Sequence, residues 1–427
     1  MHVIMKMFQQ YRGLPREIYL LLIARTIAAM GALVYPFLTF FLSTRMQFDE
    51  ELIAKFLLLV AISNLPASLL GGKLADKFNR KYVYIIAVLL SDIFFVLAGF
   101  LYKDVLSVGI ILVAYFFLNM GMPILSAMMA DLTTPENRQE SFSLVYLGFN
   151  LGYAIGPMLA GFLFEDYTQW IFWGQAALSL VAVSLIALSI DSKVLVEAKK
   201  KQLALERGRA EKELLDFVDG GEKLTDGNNE DSLLQALCKR PIVPAFACLA
   251  TALAFAYCQM GYVMPLHMSE TFGVGDGSKY YGIIWTLNGL VVAIATPLTV
   301  LIFKKLDPLI NLSIAAIFYA VGFGSYAFVE QLSLFYVLVF VWSTGEVIMA
   351  TNAGVFIANN SPPTHRARFQ SIYDIIHGTG RAVGPLIMAS FITTHTFSEC
   401  WLLVGCGCLI SSVGYILLYL NRNKIRV

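Results

Sequence analysis

Along most of its length this chain is a succession of apolar runs roughly twenty residues long, separated by short polar or Pro/Gly-rich breaks. A helix of about 20 apolar residues covers the hydrocarbon thickness of a bilayer. Read between the breaks, the runs fall at 18–42, 52–72, 82–102, 107–129, 141–164 and 169–190, then at 241–268, 280–303, 309–329, 332–358, 369–393 and 400–420. This predicts an all-α membrane protein of twelve spans in two six-helix bundles, residues 1–190 and 241–427, joined by a polar linker at 191–240. Composition agrees, since 58% of residues are hydrophobic and only 14% charged. Soluble domains carry about a quarter charged residues, and a water-soluble fold has no means of hiding so much apolar surface.

Orientation follows from Lys and Arg, which concentrate in cytoplasmic loops. With the N-terminus inside, the cytoplasmic segments hold 25 of the 31 basic residues. The outer edges hold Arg45, Lys55, Lys103 and Lys279, and Arg25 and Arg381 lie within spans. Both termini are therefore expected in the cytoplasm. The basic, mixed start MHVIMKMFQQYRGLPRE precedes a run long enough to span, so that run is expected to stay as the first helix rather than be cleaved.

Several classes drop out. A net charge of +1 gives no broad attraction to nucleic acid, and no nucleic-acid motif is present. The six cysteines form no CxxC and no His-paired cluster, so neither a metal nor a cofactor is expected. No phosphate-cradling loop and no nucleophile–base constellation speaks for an enzyme. Without an ATP-binding loop, uphill transport has to draw on a gradient.

The chain repeats itself. Pro135, Arg138, Ser143, Gly152, Gly156 and Pro157 recur as Pro363, Arg366, Ser371, Gly380, Gly384 and Pro385, each displaced by the same interval, 385 − 157 = 228. Six matches in one register make the fifth and eleventh helices repeat-mates.

Two motifs carry a family resemblance. The break between helices two and three reads Gly71-Gly72-Lys73-Leu74-Ala75-Asp76-Lys77-Phe78-Asn79-Arg80-Lys81. Its glycines allow close approach and a tight turn. Helix five carries Gly148, Gly152, Gly156 and Pro157, a flat small-residue face with a bend. The first resembles the signature cytoplasmic loop of the major facilitator superfamily. The second resembles the antiporter motif of its drug:proton antiporter branch, and Asp131 through Arg138 resembles that family's loop after helix four. Gly345-Glu346 resembles a Gly-Glu of some multidrug members. The resemblance implies that Gly72, Asp76, Arg80 and Arg138 belong to a latch between the halves, and it favours export over uptake. Departures are Phe117, where proton-coupled members often have Arg, and the decayed second-half loop Phe303-Lys304-Lys305-Leu306-Asp307.

Charges inside a bilayer are costly and call for a partner or a pathway. Asp374, His377 and Arg381 share one face of helix eleven, over about 10 Å. Glu346 sits about 21 Å into helix ten. It is the first candidate for proton coupling, with Asp374, His377 and Asp131 next, and Arg25 and Arg381 as charge partners. Asp131 has Asn359 at its repeat position, so the fold alone does not require the acid. The alternative for the charged row is a structural ion-pair network. Asp92 faces a neighbouring helix or a lateral opening.

Tyr35, Tyr146, Tyr153, Tyr257, Met260, Tyr262 and Trp342, with Asn150, Gln259, Asn288 and Asn352, are candidates for a central cavity; for any one aromatic, helix packing is the competing assignment. The reading is proton-driven efflux of amphipathic cations or neutral drug-like compounds by a monomer in a plasma membrane, with protons and membrane lipids as partners. The rivals are a lipid or glycolipid flippase, a narrow metabolite exporter, and a non-transporting receptor or scaffold.

Overall fold

Hydrocarbon offers a backbone no hydrogen-bond partners, so a spanning segment must satisfy its own amides, and helices do so. The computed structural model describes residues 11–134, 137–197, 200, 240–303, 305–361 and 366–421, and among them there is no strand. The long helices are α1 (Arg16–Met30), α2 (Glu50–Lys77), α3 (Arg80–Phe100), α4 (Leu106–Asp131), α5 (Arg138–Phe164) and α6 (Thr168–Ser189). They are followed by α7 (Ile242–Cys258), α8 (Val263–Phe303), α9 (Pro308–Gly324), α10 (Leu332–Asn360), α11 (Arg366–Ile392) and α12 (Phe397–Leu420). Ten segments in the described residues are long and apolar enough to cross a membrane, one of them running through both α7 and α8. The protein is thus a multi-pass membrane protein. Large apolar side chains such as Ile62, Leu65, Phe100, Ile294 and Ile410 stand exposed on its flanks, as a lipid solvent permits. Most of the linker expected at 191–240, with Pro135 and Pro363 of the repeat, lies outside the described residues.

Local chemistry starts the helices. Asp49 accepts from the Leu52 amide at 2.7 Å, Asn79 from Lys81 at 3.0 Å and Asp307 from Leu309 at 2.9 Å, while Thr396 and Glu399 form a reciprocal capping box.

Two expected spans are not continuous. The run at 18–42 is helical only to Met30, turns through 31–37, and resumes at 38 with a π-helical stretch at 41–45. Pro36 cannot donate an amide bond, and the free Val34 amide is taken by the Gln175 side chain at 3.0 Å. Such backbone is tolerated at membrane depth because protein encloses it. The run at 241–268 ends its first helix at Cys258, turns at 259–262 and continues to Gly273. There φ is +76°, a left-handed backbone that glycine takes at little cost, and the chain reverses. Tyr281 consequently donates back to the Met260 carbonyl at 2.8 Å.

The repeat is legible in three dimensions. Helices α5 and α11 start and end one interval apart, 366 − 138 = 228 and 392 − 164 = 228, and so do the breaks after Met30 and Cys258, 258 − 30 = 228. Packing repeats as well. In the first half α1 lies on α5, α2 on α4 and α3 on α6; in the second, α7 lies on α11, α8 on α10 and α9 on α12. Between the halves α5 meets α8 and α2 meets α11, which are again mates.

Candidate functional site

Helices α7, α10 and α11 enclose a cavity of ≈ 390 Å³ that Tyr257, Tyr319, Glu346, Asp374, His377 and Arg381 line. Helix α10 places Glu346 on the cavity wall, one turn from Ser343 on the same helix. Asn288 of α8 reaches over and donates to the Glu346 carboxylate at 2.7 Å and to the Ser343 hydroxyl at 2.9 Å. Tyr257 lines the same cavity.

On α11 the spacing of Asp374, His377 and Arg381 does what it implied, for all three line the cavity. Their partners are not one another. Asp374 accepts from Gln370 at 3.0 Å, His377 stacks on Tyr373 at 5.2 Å, and the Arg381 guanidinium lies over the Tyr257 ring at 5.6 Å. Among the described residues no ion pair joins these groups to each other or to Glu346.

Arg25 of α1 is met by the Met122 thioether at 3.4 Å and the face of Phe149 at 4.6 Å. From Phe149 a ladder of rings crosses between the halves. Phe149 stacks on Tyr153 at 5.6 Å, Tyr153 meets Trp285 edge-on at 5.5 Å, and Trp285 meets Tyr257 at 6.4 Å. Tyr35 and Tyr146 are exposed, Tyr35 leaning edge-on against Tyr115, and Asn150 donates to the Tyr146 carbonyl.

Trp342 corrects the expectation for it. It is fully buried, stacked on Phe323 at 5.1 Å, and its indole donates to the Tyr326 hydroxyl at 3.1 Å. It is a packing residue because α9 approaches α10 there, with Gly322 against the Trp342 backbone. Gln259, Met260 and Tyr262 are likewise wholly buried. Asp92 is buried in α3, which packs on α6, and its Oδ2 has no hydrogen-bond partner.

The signature loop ties the first half together. Arg80 bonds Asp131 at 2.5 Å in a nearly buried pair and reaches the exposed Asp76 at 3.5 Å. Lys81 donates to the Ala187 carbonyl at 2.7 Å, and Arg138 bonds Thr133 and the Ala130 carbonyl at 3.3 Å each, which closes the end of α4. Of the two glycines, Gly71 is the one pressed on the Met120 backbone; a Cβ at Gly72 meets nothing within 4 Å. On α5, Gly148, Gly152 and Gly156 all press on α1, and a Cβ at Gly152 would strike the Thr26 carbonyl. Gly384 presses on Cys258 as Gly156 presses on Met30, one repeat apart. Pro157 is turned to another neighbour, α8, its carbonyl 2.6 Å from where a Cβ of Gly282 would stand.

Among the described residues, hydrogen bonds and an ion pair join the halves toward one face. Thr39 donates to the Gly261 carbonyl at 2.5 Å, Tyr262 to the Glu50 carbonyl at 2.8 Å, Thr286 to the Ala154 carbonyl at 2.5 Å, and Lys279 pairs with Glu165 at 3.7 Å. All lie toward the end of α5 at Phe164. The cavity extends the other way, toward the face where α10 ends and α11 begins, since Gly354 and Gln370 also line it.

Trp285 and Glu165 were missed in the sequence. A mid-span indole and an acid at a helix end are each common, and only their neighbours mark these two.

A cavity with charged walls inside an apolar, multi-pass helical body is the setting of a membrane transporter rather than an enzyme. The Major Facilitator Superfamily family model matches residues 20–385 and 312–426, and the chain belongs to that superfamily. It is similar to a Na(+), Li(+), K(+)/H(+) antiporter of Planococcus maritimus, 21% identical over 409 residues, 91% of each chain. Over 134 residues it is 29% identical to Multidrug resistance protein 1 of Bacillus subtilis (strain 168), covering 30% of this chain and 33% of the relative. The fold is similar to that of the nucleoside transporter NupG, at a TM-score of 0.73 and 15% identity, covering 94% of this chain and 99% of the other.

Proposed function

We propose that the protein is a proton-coupled exporter of amphipathic, drug-like compounds working by alternating access. It has twelve spans in two six-helix bundles, residues 1–190 and 241–427, with residues 191–240 and both termini on the cytoplasmic side of a plasma membrane. The observation that carries this reading is Glu346: an acid inside a membrane span, on a cavity wall, held by the Asn288 amide and, among the described residues, in no ion pair. An acid in that setting exchanges a proton as its surroundings rearrange, which couples the proton to the conformational cycle. The conformation described is the inward-facing one, with the outer face shut by the contacts around Thr39, Ala154 and Glu165. At the seam between the halves, Gly282 and Gly289 of α8 lie close on Pro157 and Ala154 of α5, which keeps that seam free of bulky side chains.

The test is purified protein in liposomes with an imposed pH gradient and a panel of amphipathic dyes. Extrusion that collapses with the gradient, and that Glu346→Gln abolishes while the protein stays folded, supports the exporter. Normal transport by Glu346→Gln removes Glu346 from that role.

The Planococcus relative favours a second reading, exchange of a monovalent cation for a proton. In the same vesicles, proton movement triggered by sodium or potassium but by no dye would decide for it. Flipping of labelled lipid without either would turn the assignment to a flippase.

A further inference from the structure

We infer that the cavity takes a zwitterion, an organic molecule whose acid is held by Arg381 and whose amine is held by Asp374, with Glu346 left to the proton. This rests on the transport reading above and narrows it to one class of substrate.

The charges on the cavity wall are mixed. Arg381, Glu346 and Asp374 all line it, and among the described residues none of the three is in an ion pair. The Arg381 guanidinium lies over the Tyr257 ring. Such a contact uses the face of the plane and leaves the N–H donors along its edge for a partner. Asp374 accepts from Gln370 on Oδ1, and a carboxylate has room for about four such bonds. Glu346 differs from these two, being half-buried and tied to α8 through Asn288. Asp374 and Arg381 are exposed. The two open charges are thus one acid and one base.

The helix does not need them for its fold. One repeat interval back, Asp374, His377 and Arg381 fall on Tyr146, Phe149 and Tyr153 of α5: 374 − 228 = 146, 377 − 228 = 149 and 381 − 228 = 153. The mate helix keeps the corresponding bounds with three rings in those places. Charge within a span is costly and is kept where it meets a ligand or an ion. The second half therefore carries this row for something other than packing.

The order of the groups sets the class of ligand. Asp374 and Arg381 stand two turns apart on one face, about 10 Å along the axis. A lone anion on Arg381 would share its wall with two carboxylates, and a lone cation on Asp374 would share it with the guanidinium. A molecule with an acid toward Arg381 and an ammonium toward Asp374 meets each charge with its opposite. The spacing calls for an alkyl chain between them, and Leu253, Met349 and Ala350 of α7 and α10 supply apolar lining for it.

The experiment uses the full chain in detergent and three matched probes. Nα-dansyl-lysine carries a carboxylate and an ammonium, dansylcadaverine is the same molecule without the carboxylate, and Nα-dansylnorleucine lacks only the amine. Binding is read by energy transfer from tryptophan. Nα-dansyl-lysine is expected to bind saturably, about tenfold or more tighter than either other probe. Arg381→Gln should weaken it to the level of dansylcadaverine, and Asp374→Asn to the level of Nα-dansylnorleucine. Three results overturn the inference: no saturable binding of Nα-dansyl-lysine, a single-charge probe that binds as tightly, or an equal loss for all three probes in Arg381→Gln. If a variant does not fold, the order of the probes on the unmodified protein still decides. Because no gradient is present, the two readings fail separately. Zwitterion-selective binding without gradient-driven extrusion of any dye sinks the exporter alone. Gradient-driven extrusion of dansylcadaverine, with no preference for Nα-dansyl-lysine in binding, sinks the zwitterion site alone.

Discussion

The Nδ2 amide of Asn288 donates to the Oε2 carboxylate of Glu346 at 2.7 Å, tying α8 to α10 across the cavity wall. A hydrogen bond to a charged group contributes about 1.5–3 kcal/mol. Asn288→Leu should lower the stability by an amount of that order, while Asn288→Leu combined with Glu346→Gln should lose less than the sum, since no charge is stranded. A thermal-melt double-mutant cycle with no coupling energy would contradict the pairing.

Arg80 and Asp131 form the tight pair of the signature loop, and Asp76 is its loose third member. Removing one partner from a buried pair costs about 3–5 kcal/mol, whereas an exposed pair is worth less than about 1 kcal/mol. Asp131→Ala should therefore destabilise the protein strongly and Asp76→Ala hardly at all. Equal losses in urea or thermal unfolding would mean that the exposed contact is underrated. A transport defect in Asp76→Ala without a stability defect is the expected sign of a role in another conformation.

The neighbouring glycines of that loop give a sharper contrast. Gly71 abuts the Met120 backbone and Gly72 faces open space. Gly72→Ala should be neutral or slightly stabilising, because Ala is favoured over Gly in a helix by about 1 kcal/mol. Gly71→Ala and Gly152→Val, by contrast, force backbone apart and should cost about 1–3 kcal/mol or more. Expression yield and melting temperature check all three.

At the closed face Thr286 bonds the Ala154 carbonyl, and a Cβ at Gly289 would lie 2.7 Å from that of Ala154. Gly289→Val, which needs more room than that close approach leaves, should loosen the closed face and raise labelling of a cysteine placed at Ala154 by a membrane-impermeant thiol reagent, in a background with the exposed Cys248 and Cys406 changed to Ser. Labelling no greater than with Gly289 in place would show that this approach does not hold the face shut.

How much of this was readable beforehand depends on which physical signal each feature leaves in one dimension. Apolar runs announce helices in a bilayer because backbone groups there have no other way to be satisfied. The repeat interval announced the α5–α11 relationship, since Gly152 and Gly380 have to be small for the same close approach. Spacing on one helix put Asp374, His377 and Arg381 on one cavity face. The breaks after Met30 and Cys258 were missed, because composition stays apolar through them and the amide freed near Pro36 is satisfied from α6 by Gln175.

By itself, then, the sequence determined the solvent this protein lives in, its helical make-up, its duplicated plan and the residues whose charge the membrane makes expensive. Only the tertiary structure decided how those charges are met: Glu346 by Asn288, Arg80 by Asp131, Arg25 and Arg381 by ring faces rather than by acids. The reason is that a spanning helix is apolar toward lipid and toward its neighbours alike. Its sequence carries little record of which side faces the cavity, and a side chain's partner is set by the helix placed opposite it.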